Sequence, residues 1–399
     1  MRNTFFPVTD ILLYLVVAVY ALALLFIFTY SLAQLHLVLR YTRKKDPRSV
    51  YKYDDAFRPH VTIQLPLYNE RYVVERLIDA VCKINYPKAL FEVQLLDDST
   101  DETEELCKSK TNEWQQKGIN IVHLRRTDRS GYKAGALKYG LEKAQGDFIA
   151  VFDADFIPEP DFLEKTIPYF TDEKIGVVQT RWGHINRGYS LLTRLQAFAL
   201  DAHFTVEQVG RNRGGFINFN GTAGIWRKTT IIDAGNWEAD TLTEDLDLSY
   251  RAQLKNWKFI YLENVTSPAE LPPVMSALKS QQYRWTKGGA EVARKHLGKV
   301  LRSSFPFAVR FHGTMHLLNS AVFLAVITCS LLSVPLLFAK AHFPRMNELF
   351  WYASLFLLSF LILGSFYYLS AKKYLADNGK NFFHFLAIFP VFLSVSMGL

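Results

Sequence analysis

The chain has 399 residues, a net charge of +8 and 49% hydrophobic residues, enough for one or two domains with a large core. Its basic excess crowds beside apolar runs, so anionic lipid headgroups account for it without a nucleic-acid partner. Cys82, Cys107 and Cys329 have no metal-type spacing, which excludes a disulfide scaffold and a zinc module and fits a reducing cytoplasm.

Residues 11–39 carry almost no charge, are long enough to span a bilayer, and lack the cleavage site of a secretory signal. Arg40, Arg43, Lys44, Lys45, Arg48 and Lys52 follow this segment, whereas only Arg2 precedes it. The positive-inside rule therefore predicts an external N-terminus and a cytoplasmic middle. Further candidate spans cover about 315–338, 350–369 and 382–399. The loop 371–380, with Lys372, Lys373 and Lys380, then falls inside and the loop 340–348 outside. Leu399 lies within an apolar run, so a longer native protein is expected.

Between these segments, 60–67 reads as a first strand, followed by Tyr68, Asn69 and Glu70. Val74, Leu77, Ile78 and Val81 mark an amphipathic helix over 71–82. A second strand, 91–96, ends in Asp97-Asp98-Ser99-Thr100-Asp101, and Asp101 or Thr100 is expected to cap a helix running to about 116. A third strand over 119–124 and a helix over 133–144 lead to the stretch 146–155, Gly-Asp-Phe-Ile-Ala-Val-Phe-Asp-Ala-Asp. Its apolar run 148–152 predicts a fully buried parallel strand. Asp153 and Asp155 close the strand two residues apart, on one side of an extended backbone. Ligands of open α/β sheets bind beyond the carboxyl ends of the strands, where two acids suit a hard divalent cation carrying phosphates. Four strands alternating with three helices predict an α/β fold with a doubly wound, mostly parallel sheet. No Gly-x-Gly-x-x-Gly follows the first strand and no Walker motif is present, so a dinucleotide cofactor is not expected.

Farther on, 175–179 predicts a strand and 191–210 a helix, before glycines punctuate 213–224. Thr243-Glu244-Asp245 opens another helix, with Thr243 as N-cap; helix capping alone would account for the two acids. From 277 a helix places Gln281, Arg284 and Trp285 on one face.

The ordered set Asp97-Asp98, Asp153-x-Asp155, Thr243-Glu244-Asp245 and Gln281-x-x-Arg284-Trp285 resembles the family 2 glycosyltransferases of the cellulose synthase type. The resemblance covers 61–296. Gln179-Thr180-Arg181-Trp182, Phe219-Asn220-Gly221-Thr222-Ala223-Gly224-Ile225-Trp226-Arg227 and Glu244-Asp245-Leu246-Asp247-Leu248 bring it nearest to the cellulose synthase-like enzymes that make mannan or a glucan backbone. It implies a GT-A-like sheet inserted between transmembrane helices: an N-terminal span in 1–40, a cytoplasmic catalytic domain in 41–305 and C-terminal spans in 306–399. The implied activity is inverting transfer of glucose or mannose from UDP-glucose or GDP-mannose to a growing β-linked polysaccharide. The alternative is transfer of one sugar to a lipid, as in ceramide glucosyltransferase-like proteins.

Residue by residue, the resemblance assigns metal binding to Asp155 assisted by Asp153, with Mg2+ and Mn2+ both admissible. It gives Asp245 the role of base, beside Glu244. Tyr68, Glu70 and one of Asp97 and Asp98 fall where the family holds the nucleoside. Lys133, Asp153 and Arg284 fall to the donor and its diphosphate, and Asn220, Gly221, Thr222, Gln281 and Trp285 to the acceptor. His312, His316 and Asn319 would line a polymer path or mark an interfacial helix. Membrane lipids are expected partners and additional subunits possible ones. The expected location is a bacterial inner membrane, or the Golgi membrane in a eukaryote. Only about three spans follow the catalytic region, fewer than polymer-secreting relatives use. A haloacid dehalogenase-type phosphohydrolase is disfavoured, since its Asp-x-Asp belongs on the first strand with Thr or Val at a fixed spacing, whereas here the acids follow the fourth strand and precede Phe156-Ile157. A catalytically silent scaffold would not need Asp155, Asp245 and Arg284 together.

Overall fold

The computed structural model describes residues 8–43, 46–212, 215–342, 354–374 and 381–397. The expectations placed on Arg2, Lys44, Lys45, Lys380, Leu399 and most of the loop 340–348 fall outside these residues. Seven strands form one sheet: β1 Val61–Leu67, β2 Phe91–Asp97, β3 Ile121–Arg125, β4 Phe148–Val151, β5 Ile175–His184, β6 Gly224–Arg227 and β7 Lys258–Ala269. Their spatial order is β3-β2-β1-β4-β6-β5-β7. The first four are parallel, with β4 beside β1. β6 runs antiparallel between β4 and β5, and β7 returns parallel to β5.

The four strands expected from apolar runs and the strand at 175 are present, whereas β6 and β7 are additions to the sequence reading. β6 has only four residues, in a stretch whose glycines signalled a loop, and β7 is well buried only in its first half. Every residue of β4 is buried, because apolar layers cover both faces of the sheet. Its burial leaves Asp153 and Asp155 at the first positions where polar side chains are accommodated, at the carboxyl edge of the sheet.

The helices are α1 Val8–Thr42, α2 Val74–Cys82, α3 Thr103–Gln116, α4 Tyr132–Lys143, α5 Phe162–Thr166, α6 Leu191–Ala202, α7 Gln208–Arg211, α8 Lys228–Asp233, α9 Glu244–Leu254, α10 Met275–Arg302, α11 Phe307–Leu317, α12 Asn319–His342, α13 Leu357–Tyr374 and α14 Asn381–Met397. The continuous helix expected over 191–210 is interrupted by a π-helical turn, His203–Glu207. Asp101 Oδ1 accepts from the Thr103 amide at 3.0 Å, but the N-cap of α3 is Glu102, whose side chain makes no cap bond, so neither Asp101 nor Thr100 stands at the expected position. Thr243 stands at the N-cap of α9, but its hydroxyl makes no cap bond. The reason is packing: α10 presses Gly288 against this threonine.

Among the described residues, two helices, over Leu12–Thr42 and Asn319–Phe338, are long and apolar enough to cross a membrane. The expected span from 315 is broken near Leu318, where α11 ends and α12 begins. The apolar part of α14, Phe382–Ser396, is shorter than either candidate.

Candidate active site

Sheet order explains why residues far apart in sequence meet. Asp153 follows the strand beside β1, and the turn before β6 lies across from it. The Asp153 amide donates to Thr222 Oγ1 at 2.9 Å. Lys133, in the first turn of α4, donates from Nζ to the Asp153 carboxylate and, at 2.9 Å, to the Gly221 carbonyl. Gly221 has φ +78°, and a Cβ there would lie 3.2 Å from Asp245 Oδ2 and 3.5 Å from Lys133 Nζ. Positive φ and close approach to a carboxylate both favour glycine. Ala223, two residues on, holds φ 54°, a strained conformation of the kind that gathers at functional sites.

The charges around this turn are coupled. Burial pushes the Asp245 carboxyl up to about 7, helped by the negative charge of Glu244 and opposed by Lys133. Burial also raises Glu244, with Lys133 opposing it. Asp155 is pushed up to about 7 by burial, then by the charges of Asp153 and Glu70. Glu70 is raised by burial and by Asp153. Lys133 is desolvated too, yet its ammonium is held above the ordinary lysine range by Asp153, Glu244 and Asp245. The structure thus brings Glu70, Lys133, Asp153, Asp155, Gly221, Thr222, Glu244 and Asp245 into one neighbourhood.

The other expected site residues stand differently. Asp97 is buried and fully engaged, by His123 Nε2 at 2.8 Å and the Ser99 amide at 2.9 Å. Asp98 receives a two-pronged contact from Arg126, which also holds the Ser130 and Tyr132 carbonyls. Both acids are thus held by protein groups in this arrangement. Tyr68 lies under the Arg129 guanidinium, 3.1 Å from the ring centroid. Asn220 Oδ1 accepts from Gln208 and Asn218 and lies 3.1 Å from His203 Nε2. Arg284 is exposed and has no ion-pair or hydrogen-bond partner among the described residues. Trp285 sits 6.4 Å from Trp182, centroid to centroid. Both follow from α10, whose Gly288 fits against Thr243 and so brings the Gln281, Arg284 and Trp285 face to the head of α9.

Three-residue groups with ligand atoms close enough for one cation lie elsewhere: Asp97, Cys107 and His123, and Glu238, Asp240 and Asp247. In the second group Lys295 already bonds all three acids. Two features had no role in the sequence reading. One is Asp247, buried and bonded by His296, Arg251 and Lys295. The other is the π-turn. The acidic triplet in Glu244-Asp245-Leu246-Asp247 signalled the former; nothing local signalled the latter.

Known proteins can be set against this geometry. A 43% identical stretch of 275 residues covers 65% of the chain and 50% of glucomannan 4-β-mannosyltransferase 7 of Arabidopsis thaliana. Glucomannan 4-β-mannosyltransferase 1 of Cyamopsis tetragonoloba is 46% identical over 61% of this chain and 47% of its own. The chain therefore spans about half the length of the curated relatives it matches. A mannosyltransferase of Pyrobaculum calidifontis, solved in complex with GDP-Man and Mn2+, superposes with TM-score 0.62 at 20% identity, over 91% of this chain and 99% of that one. That likeness establishes the GT-A-like fold. The model of glycosyltransferase-like family 2 matches residues 59–288. The chain belongs to glycosyltransferase family 2, and is similar within it to the cellulose synthase-like mannan synthases.

Proposed function

We propose that this chain is the catalytic portion of a metal-dependent, inverting β-glycosyltransferase that extends a β-linked polysaccharide, with mannose from GDP-mannose as first choice and glucose from UDP-glucose as second. The observation that carries the reading is the meeting of Lys133, Asp153, Gly221 and Asp245 at the carboxyl edge of the sheet. The 43% identity to a glucomannan 4-β-mannosyltransferase supports mannose and a polymeric acceptor. The GDP-Man and Mn2+ of the Pyrobaculum calidifontis structure make that nucleotide and metal the first to test.

In this reading Asp245 accepts the proton of the attacking hydroxyl, and a base near neutral pH suits that task. One base and direct displacement invert the anomeric centre. Lys133 orients Asp153 and fixes the Gly221 backbone, so the base and the donor face stay in register. Asp155 crowded by Asp153 and Glu70 is a donor set that fits a divalent cation, since added positive charge favours their ionised forms. Bound there, Mg2+ or Mn2+ would neutralise charge on the departing diphosphate. Arg284, free and fork-shaped, suits the same oxygens. Trp285 offers the acceptor a flat face, and Gln281 stands one turn before it. Tyr68 and Glu70 flank the nucleoside; Asp97 shapes that pocket through His123 and Asp98 through Arg126. The domain lies on the cytoplasmic side, after the N-terminal apolar helix and before the C-terminal ones.

The test uses purified protein in detergent with Mn2+ or Mg2+, offered GDP-mannose and UDP-glucose in parallel. Nucleoside diphosphate release and product size are followed, with Asp245→Asn as control. A long product from one donor, lost in the variant, is expected. A product of one sugar on lipid would reassign the acceptor. Turnover of neither donor, or equal turnover in the variant, overturns the reading.

A further inference from the structure

The π-turn His203–Glu207 interrupts a helix that would otherwise run on without a break. π-turns sacrifice regular backbone bonding and gather at functional sites. Here two successive residues of the turn reach different parts of the proposed acceptor region. His203 bonds Glu207 Oε2 through Nδ1 at 2.8 Å and Asn220 Oδ1 through Nε2 at 3.1 Å. Phe204 packs on Trp182, 4.9 Å between centroids, and Trp182 in turn neighbours Trp285. Glu207 is itself paired with the buried Arg211.

The Asn220 amide is the end point of the first path. Its oxygen accepts from the Gln208 and Asn218 amides, which place the oxygen at that end, and lies 3.1 Å from His203 Nε2, which also faces Gln208 Nε2 at 3.3 Å. Its backbone N–H is held by Gln179 at 3.0 Å. Yet Nδ2 is buried and has no partner among the described residues. A buried donor left unfilled is costly, and such cases call for an explanation. A sugar hydroxyl or ring oxygen would fill it. The next residue in the chain, Gly221, is the one whose backbone approaches Asp245.

We propose that His203 is a positioning residue for the acceptor sugar: braced by Glu207, it orients the Asn220 amide so that Nδ2 remains free for an acceptor oxygen beside the base. The proposal rests on the glycosyltransferase reading above and deepens its acceptor half. Phe204 supports the same end through Trp182, so one π-turn backs both the polar and the aromatic side of the acceptor.

The experiment measures KM for a β-1,4-linked mannohexaose acceptor, KM for GDP-mannose, and slow GDP-mannose hydrolysis without acceptor. It compares wild type with His203→Leu and His203→Gln. Leucine is expected to raise the acceptor KM roughly tenfold, the equivalent of one lost hydrogen bond, and to leave donor KM and hydrolysis unchanged. Glutamine, which keeps a hydrogen-bonding amide near the Nε2 position, is expected to recover most of that loss. Asn220→Asp keeps the oxygen that faces His203 and removes the free donor, so it carries the test should the leucine variant not fold. Unchanged acceptor KM in these variants, or donor and acceptor KM rising together, overturns the proposal while leaving the functional reading intact. A wild type that transfers from neither donor overturns both.

Discussion

Alanine at Gly288 tests the claim that one helix sets the geometry of two parts of the site. A Cβ there would lie 2.6 Å from Thr243 Cγ2, 2.7 Å from its Oγ1 and 3.0 Å from its backbone N. Ordinary carbon contacts begin at about 3.5 Å, so α10 and the head of α9 must separate by about 1 Å. Overpacking of this kind costs about 1–3 kcal/mol, offset by about 1 kcal/mol for replacing a helical glycine with alanine. Net destabilisation should therefore be small, roughly 0–2 kcal/mol. The effect on turnover should be larger, because Asp245 stands on one helix and Arg284 and Trp285 on the other. A displacement of about 1 Å between reacting and positioning groups costs on the order of 100-fold in rate. Gly298 supplies the control, being exposed later in α10 with nothing within 4 Å of its would-be Cβ. Gly298→Ala should gain about 1 kcal/mol and keep full activity. The assay is kcat from nucleoside diphosphate release, with thermal unfolding of the same detergent preparations. Gly288→Ala with wild-type kcat and the stability gain of Gly298→Ala would refute the argument.

The left half of the sheet was legible because burial on both faces writes strands as apolar runs, and because each run ended in polar residues. Phe148 to Phe152 followed by Asp153 and Asp155 is the plainest case. β6 was not legible: its four residues are a strand only because β4 and β5 offer edges on either side. β7 was missed because Glu263, Asn264 and Thr266 break its apolar pattern where it leaves the core. The acids and Lys133 could be picked out by type and spacing, but their meeting depends on sheet order, which local sequence does not encode. Thr243 shows the reverse failure. Capping chemistry placed it correctly at the helix start, and then tertiary packing of Gly288 took precedence over its hydroxyl bond. The π-turn has no local signature at all; its residues His203, Phe204 and Thr205 are held by Asn220, Trp182 and Ser370, which come from distant segments.

Lys133→Met should lower kcat/KM by about 10–100-fold through loss of its charge-assisted bonds, with the fold retained by circular dichroism; near-normal kcat/KM would deny it a role. Chelation should abolish transfer and added Mn2+ or Mg2+ restore it, and full activity in chelator would remove Asp153 and Asp155 from consideration as a cation site. Because Asp245 is pushed up to about 7 by burial and then by Glu244, kcat/KM should fall as pH drops through that value. Glu244→Gln removes the neighbouring charge and should move this limb to lower pH; a limb that stays in place rules out the coupling. The buried Asp247 bears on stability instead. Burial disfavours its charge, but bonds from His296, Arg251 and Lys295 outweigh that and hold its carboxyl well below the usual range. A carboxyl depressed in the folded state binds its proton more readily when unfolded, so its stabilising contribution is complete above about pH 4. That contribution must decline as pH falls further. Asp247→Asn should therefore cost stability at pH 7, and the gap to wild type in denaturant midpoint should narrow below about pH 4. A gap that is constant with pH would show that packing, and not charge, is what Asp247 contributes to α9.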